Sequence, residues 1–383
     1  MSFWGYVRPD GSVGTRNYVG VISTVTCAND VAYWIARQVP GCAFFVHQQG
    51  CGQSQPDMDI VHRTLISLGC NPNLAAVLLV SLGCEGPVDD IMEGIAASGK
   101  PVAKVVVQEI GGAGPALSEG SRLARQMVSD ASSTPREESD DSRLLIGVKC
   151  GASDTTSGLA SNPSIGAACD ILIERGGRCI FGETPEMMGA EHILARRAAS
   201  PEIGQRIMGI VERMEKRALA MGVDMRGANP SRGNIAAGLT SIEEKSLGAI
   251  VKGGSTPIMG VYEYGEKCEG PGLSILDGPG QEPKAVTALA AAGAQVIVFS
   301  TGIGAPQGFP FVPVIKVTAN PNTYRRLSDH IDLYVDIGDK AGHRELGQTV
   351  LGEALAVASG KKTKAETLDY VNYPDIWTSG TTF

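Results

Sequence analysis

The sequence predicts an α/β protein of two Rossmann-like or flavodoxin-like domains with mainly parallel sheets. Three observations predict it. Short apolar, β-branched runs alternate with stretches of helical periodicity along the chain. At 383 residues the chain is too long for one small core. A polar, charged and aperiodic stretch, SSTPREESDDS at 132–142, divides it. The expected division is therefore a domain at 1–131, a linker at 132–142 and a second domain at 143–383.

The elements follow in order. YVGVISTVT (18–26) reads as a strand, DVAYWIARQV (30–39) as a helix and CAFFVH (42–47) as the next strand. The stretch after Asp57 is helical, AAVLLVSLG (75–83) and VAKVVVQE (102–109) are buried strands, and 118–131 is a closing helix. Beyond the linker, strands are expected at 144–149, 178–183, 257–264, 295–301, 311–318 and 331–337. Helices fit 164–176, 188–199, 201–220, 240–252, 283–293 and 344–359.

Composition narrows the function. A net charge of −8 argues against nucleic-acid binding, which needs clustered Lys and Arg. No apolar stretch nears the roughly 20 residues that cross a bilayer. MSFWGYVRPDG at the start lacks the basic-then-apolar pattern of a secretory signal, so a cytoplasmic protein is expected. Nine cysteines without compact spacing then read as core fillers, metal ligands or catalytic groups. No CxxC pair, HExxH or GxxxxGK[ST] is present, and the glycine clusters do not match GxGxxG.

In open parallel sheets, ligands bind beyond the C-terminal strand ends. Cys27 follows the first predicted strand, His47 and Cys51 the second, and Cys84 and Glu85 the third. Cys150 follows the first strand after the linker, with Asp154 close behind, and Glu183 ends the strand RCIFGE. Any one strand-end cysteine reads as filler; the shared placement reads as a site. Cys51 in particular sits in a Gly-rich turn, where a buried filler is not expected. His62, on a helix, reads as structural, and Glu186 and Glu191 as first-turn acids that complement a helix dipole. Arg16 and Asn17 precede the first strand, with a loop salt bridge as the bland alternative for the arginine.

Ten stretches together resemble the catalytic region of the altronate dehydratase and galactarate dehydratase family. They are DGSVGTRN (10–17), TVTCAN (24–29), HQQGCGQ (47–53), LGCE (82–85), CGASDTTSGLASNP (150–163), ETPEMMGAE (183–191), NPSRGN (229–234), GLTSIEEKSLG (238–248), PGLSILDGPG (271–280) and FSTGIGAPQG (299–308). They run in order over nearly the whole chain. The resemblance implies an iron- or manganese-dependent lyase that dehydrates a sugar acid to a 2-keto-3-deoxy acid. In altronate dehydratase a small β-rich domain precedes this region, and the related sulfolactate sulfo-lyase pairs a large subunit with a small one. Desulfonation of (2R)-sulfolactate is thus the alternative activity, and a non-catalytic sugar-acid-binding subunit the second alternative.

The chemistry requires a base for the α-proton, an acid for the leaving group and stabilisation of an aci-carboxylate. The resemblance implies His47, Cys51, Glu85, Asp154 and Glu183 as catalytic groups. The expected metal ligands are His47, Cys27, Cys51, Cys84 and Cys150, holding Fe2+ or Mn2+, with an iron–sulfur cluster as the alternative. Arg16, Asn17, Ser153, Asn162, Asn229, Asn234, Thr240 and Lys245 are expected to bind substrate, with Lys316 a further candidate for its carboxylate. The expected partners are a small hydroxy acid, a small β-rich subunit and further copies of the chain. An acyl hydrolase using Cys51 and His47 ranks last, because nothing supplies an orienting third residue.

Overall fold

The structure is a computed structural model that describes residues 1–86, 88–336, 338, 342–371 and 374–383. It is an α/β fold with two parallel sheets and a small antiparallel one. Its strands, in chain order, are β1 (Ser2–Val7), β2 (Val13–Gly14), β3 (Tyr18–Ser23), β4 (Cys42–Phe45), β5 (Leu74–Ser81), β6 (Val102–Val106) and β7 (Glu137–Asp140). They continue as β8 (Leu145–Gly151), β9 (Arg178–Phe181), β10 (Ile258–Tyr262), β11 (Gly272–Leu276), β12 (Val296–Thr301), β13 (Val314–Thr318) and β14 (Leu333–Tyr334). The last residue of the strand expected at 331–337 lies outside the described residues.

The first parallel sheet has the order β4-β3-β5-β6. Its strands are apolar on both faces because helices cover both. Val21, Leu78 and Val80 pack toward the helices Asn29–Gln38 and Ala113–Ser132. Ile22, Phe45 and Leu79 pack toward Gln55–Gly69 and Val88–Ala96. The helix Ala113–Ser132 comes so close at Gly120 that a β-carbon there would stand 2.3 Å from Ile35 Cδ1. The order reverses between β3 and β5, which opens a crevice at their C-terminal ends.

The second sheet, β10-β11-β9-β8-β12-β13-β14, is parallel throughout. Helices Asn162–Glu174 and His343–Ala358 cover one face, and Glu282–Ala291 packs on the other. The order reverses between β8 and β12, so its crevice lies beyond Gly151 and Thr301.

The linker expectation needs correction. Residues 137–140, inside the expected linker, form β7 and pair antiparallel with β1, while β2 pairs on the other side. Arg136 secures this stretch by donating to the carbonyls of Thr15 and Ala358 at 3.0 and 3.1 Å. The two halves are also not separate cores. Phe45, Leu65 and Leu79 share one apolar cluster with Leu289, Ile297 and Phe311. Across that contact Asn71 donates to the carbonyls of Ala290 and Ala294, and Asn73 to those of Gln295 and Phe311, at 2.8–3.0 Å. Such buried polar pairs fix one relative placement, because a shift would leave each unpaired. Among the described residues no helix is long and apolar enough to cross a membrane.

Candidate active site

Functional side chains gather at the C-terminal ends of both parallel sheets. Beyond β3, β4 and β5 come three loops, each with a free, exposed cysteine: Cys27, Cys51 and Cys84. The loops are stitched together. The Thr26 N–H donates to Gln49 O at 2.8 Å, and the Thr24 hydroxyl to Glu85 Oε1 at 2.7 Å. Glu85 also accepts from the N–H groups of Leu82 and Gly83 at 3.0 and 2.8 Å. Partial burial works against its charge, but the hydrogen bonds hold Glu85 below the usual carboxylate range. As a carboxylate it organises the turn that carries Cys84. Cys51, Cys84, Glu85 and His62 line one cavity of about 210 Å³. His62, set aside from sequence, stands at the site because the helix Gln55–Gly69 begins directly after the cysteine loop.

The His47 ring, expected as a catalytic group and metal ligand, is engaged with the backbone. Its Nδ1 accepts the Gln49 N–H at 3.2 Å, so Nε2 carries the proton and donates to Ser23 O at 3.0 Å. Both ring nitrogens are taken. Burial holds its pKa down to about 4, so the ring is neutral. His47 ties the cysteine loop to the end of β3.

The second centre lies beyond β8 and β9. Glu183 accepts from Lys149 Nζ at 2.8 Å and the Cys150 N–H at 3.0 Å, and pairs with Lys252 Nζ at 3.2 Å. Glu183 is 2% exposed and the lysines 0% and 1%. Burial opposes its charge, yet the two ammonium groups outweigh it and hold the Glu183 carboxyl low. Cys150 accepts from Lys252 Nζ at 3.3 Å, and burial pushes its thiol up to about 11. Cys150 lies on the other sheet from the three exposed cysteines. The backbone is strained here: Glu183 has φ 72° and Ala152 φ 49°. A residue with a β-carbon pays roughly 1–2 kcal/mol for such a geometry, which persists where surroundings enforce it. A π-helical turn, Ser157–Ser161, follows, a feature found often at functional sites.

Next to this cluster lies a cavity of about 180 Å³ whose wall includes Ser153, Asp154, Asn162, Glu244 and Lys245. Lys245 Nζ pairs with Glu186 Oε1 at 2.9 Å and donates to Asn229 Oδ1 at 2.7 Å. Among the described residues its third N–H has no acceptor. Asp154 is held in place by the Ser157 N–H, the Thr156 and Ser157 hydroxyls and Asn320 Nδ2. Asn234 caps its own helix with Ser231 and donates to Ser153 O at 2.8 Å, fastening NPSRGN over the Asp154 turn.

Other expected ligands are structural. Arg16 forks onto Glu366 at 2.7 and 2.8 Å and donates to the carbonyls of Thr15, Val357 and Lys361, which uses its whole guanidinium. Asn17 bonds Arg8 and Ala131 O. Thr240 is exposed and donates its N–H to Glu244 Oε2 at 2.7 Å. Lys316 is buried and donates to Gln307 O. The sequence reading missed Lys149 and Lys252, because a lysine inside or beside an apolar run defaults to the surface. The signal for Lys149 was its place between Val148 and Cys150 in a buried strand.

The glutamines of HQQGCGQ serve the end of the chain. Gln48 and Gln49 donate to Ile376 O at 2.6 and 2.7 Å, and Asp57 accepts the N–H groups of Ser379 and Gly380. The Phe383 N–H reaches Gly52 O at 2.7 Å. Residues 374–383 thus strap the Cys51 loop, while Trp377 packs on Tyr264 of the other half. Asp57→Ala should free this strap at a cost of about 1–3 kcal/mol and speed both proteolysis of the tail and alkylation of Cys51. Mass spectrometry of timed digests and of iodoacetamide-treated protein reads both; unchanged rates would count against the strap.

Comparison with known proteins adds the family. Residues 141–382 match the model of the D-galactarate/altronate dehydratase C-terminal domain, and 5–132 that of the D-galactarate dehydratase/altronate hydrolase second domain. The chain is 38% identical to the (2R)-sulfolactate sulfo-lyase subunit beta of Chromohalobacter salexigens, over 96% of this chain and 95% of the relative. It is 33% identical to altronate dehydratase of Bacillus subtilis, over 100% of this chain and 78% of that one. It is 31% identical to galactarate dehydratase (L-threo-forming) of Escherichia coli, over 94% and 73%. Dehydratases and a sulfo-lyase are all lyases, and the chain belongs to the D-galactarate/altronate dehydratase family.

Proposed function

We propose that the chain is a hydro-lyase that dehydrates a sugar acid such as altronate or galactarate, with the substrate held in the cavity beyond β8. The observation that carries this, within a family of lyases, is Lys245 on the cavity wall with an unused N–H. An ammonium there binds the substrate carboxylate and stabilises the charge that grows on it as the α-proton leaves. Glu244 stands on the same wall. Its Oε2 accepts from Thr240, and its Oε1 has no bond among the described residues. Glu244 takes the C2 proton, the electron pair forms the C2–C3 double bond, and hydroxide leaves C3 as water once protonated. The enol then becomes the 2-keto-3-deoxy acid.

A second reading has its own observation: the sulfo-lyase subunit is matched almost end to end. The same proton is removed from (2R)-sulfolactate, sulfite leaves instead of hydroxide, and a partner subunit completes the enzyme. An anaerobic assay on altronate, galactarate and (2R)-sulfolactate separates the readings by product, keto acid alone or keto acid with sulfite. Binding without turnover would leave the non-catalytic subunit.

The residues do not fit a lone Fe2+ or Mn2+. Among the described residues no three His, Cys, Asp or Glu side chains converge as a metal site, and His47 has no free nitrogen. Cys27, Cys51 and Cys84 do not converge in this arrangement either; the iron–sulfur alternative rests on their chemistry alone, three free, exposed thiols on stitched loops. What a cluster supplies when bound is Lewis acidity toward the departing group. Anaerobically purified protein should carry iron and acid-labile sulfide. Cys51→Ser should lose both while its thermal midpoint stays within about 2 °C, since an exposed thiol carries little stability. Cys150→Ser should keep the iron. Iron retained in Cys51→Ser removes Cys51 from the ligand set.

A further inference from the structure

Asn162 opens the helix Asn162–Glu174 immediately after the π-helical turn and is 1% exposed. Its Nδ2 donates to Gly248 O at 2.7 Å, which fixes which way the amide faces. Its Oδ1 is buried and has no hydrogen-bond partner among the described residues. The residue lines the cavity that holds Lys245. A second buried acceptor without a partner, Glu186 Oε2, belongs to the carboxylate that pairs with Lys245. Buried acceptors in folded proteins are almost always satisfied, so the Asn162 oxygen in the cavity wall calls for a donor from elsewhere.

We infer that the cavity is built to read hydroxyl hydrogens: a hydroxylated carboxylate binds with its carboxylate on Lys245 and a hydroxyl donating to Asn162 Oδ1. The inference rests on the hydroxy-acid reading above and adds the residue that selects for it. The ammonium alone would accept any small carboxylate. The locked amide oxygen adds a penalty for one without hydroxyls, because the acceptor then stays buried and unpaired.

The test compares two dicarboxylates of one chain length, galactarate and its hydroxyl-free analogue adipate, by calorimetry on wild type and Asn162→Ala. Wild type should bind galactarate about 100-fold more tightly than adipate or better. Asn162→Ala should weaken galactarate about 10- to 100-fold and leave adipate unchanged. Because Asn162 also holds Gly248, the adipate arm is the control: equal weakening of both ligands would mean a merely structural residue and would overturn the inference. So would wild type that binds both acids alike, or neither. Turnover of the sugar-acid panel reports on the lyase reading separately. An active enzyme whose Asn162→Ala variant binds galactarate normally sinks the hydroxyl reading and leaves the lyase standing.

Discussion

Glu183→Gln should destabilise the protein by about 3–5 kcal/mol, the range for removing one side of a buried ion pair. The glutamine keeps the shape and one acceptor, but Lys149 and Lys252, at 0% and 1% exposure, lose their shared carboxylate. Lys149 retains only the carbonyls of Cys150 and Gly280, and Lys252 the Cys150 sulfur. With unfolding entropy of roughly 2 cal/mol/K per residue, the thermal midpoint should fall by about 5 °C. The loss should reach the site as well, because Glu183 ties the Cys150 turn, which leads to Asp154, to the turn that carries Glu186. A double variant, Glu183→Gln with Lys252→Met, should be less damaged than the sum of the two, since it also removes one stranded charge. Strict additivity, or a midpoint shift below about 1 °C, would show that the triad does not act as a unit.

The parallel strands were legible because burial on both faces leaves runs such as LAAVLLVS and VIVFST. The helix at 201–220 was legible to the residue, with Ser200 capping it and proline following. What escaped notice was short or polar. β11 spans five residues between glycine-rich turns, and β7, EESD, is a polar edge strand whose pairing with β1 is made across more than 130 residues. No local pattern encodes such a partner. The site shows the same divide. Strand-end placement singled out Cys27, Cys51 and Cys84, which are exposed on loops, and also His47, whose ring nitrogens fold back onto the protein, as does the guanidinium of Arg16 before the first strand. A motif reveals that a side chain is needed; whether it faces ligand or backbone depends on contacts such as Arg16 with Glu366, 350 positions away. Lys149 was missed for the mirror reason: its partner Glu183 sits 34 positions on.

His47 sets a pH response that can be separated from the carboxylates. Burial lowers its pKa from 6.5 to about 4, so the folded state keeps the ring neutral while the unfolded chain takes up a proton. The unfolded state therefore binds more protons between these values, and stability falls as pH drops from about 6.5 toward 4. Between pH 7 and 5 the loss from this one ring should be about 2 kcal/mol. Glu183, whose carboxyl is held low, adds its own loss only below its unfolded value of 4.5. Lys100, pushed down to about 7 by burial, exerts most of its effect above this window. Urea unfolding of wild type and His47→Gln at pH 7 and pH 5 isolates the ring: the variant, with nothing to titrate there, should show the smaller drop by about 2 kcal/mol. Protonation puts a hydrogen on Nδ1, the nitrogen that accepts the Gln49 N–H, so the cysteine loop should loosen first. Alkylation of Cys51, corrected for thiolate fraction, should then rise in wild type at pH 5 before global unfolding. Equal pH sensitivity in the two proteins would mean that His47 is reached by solvent and is not the buried peg the hydrogen bonds describe.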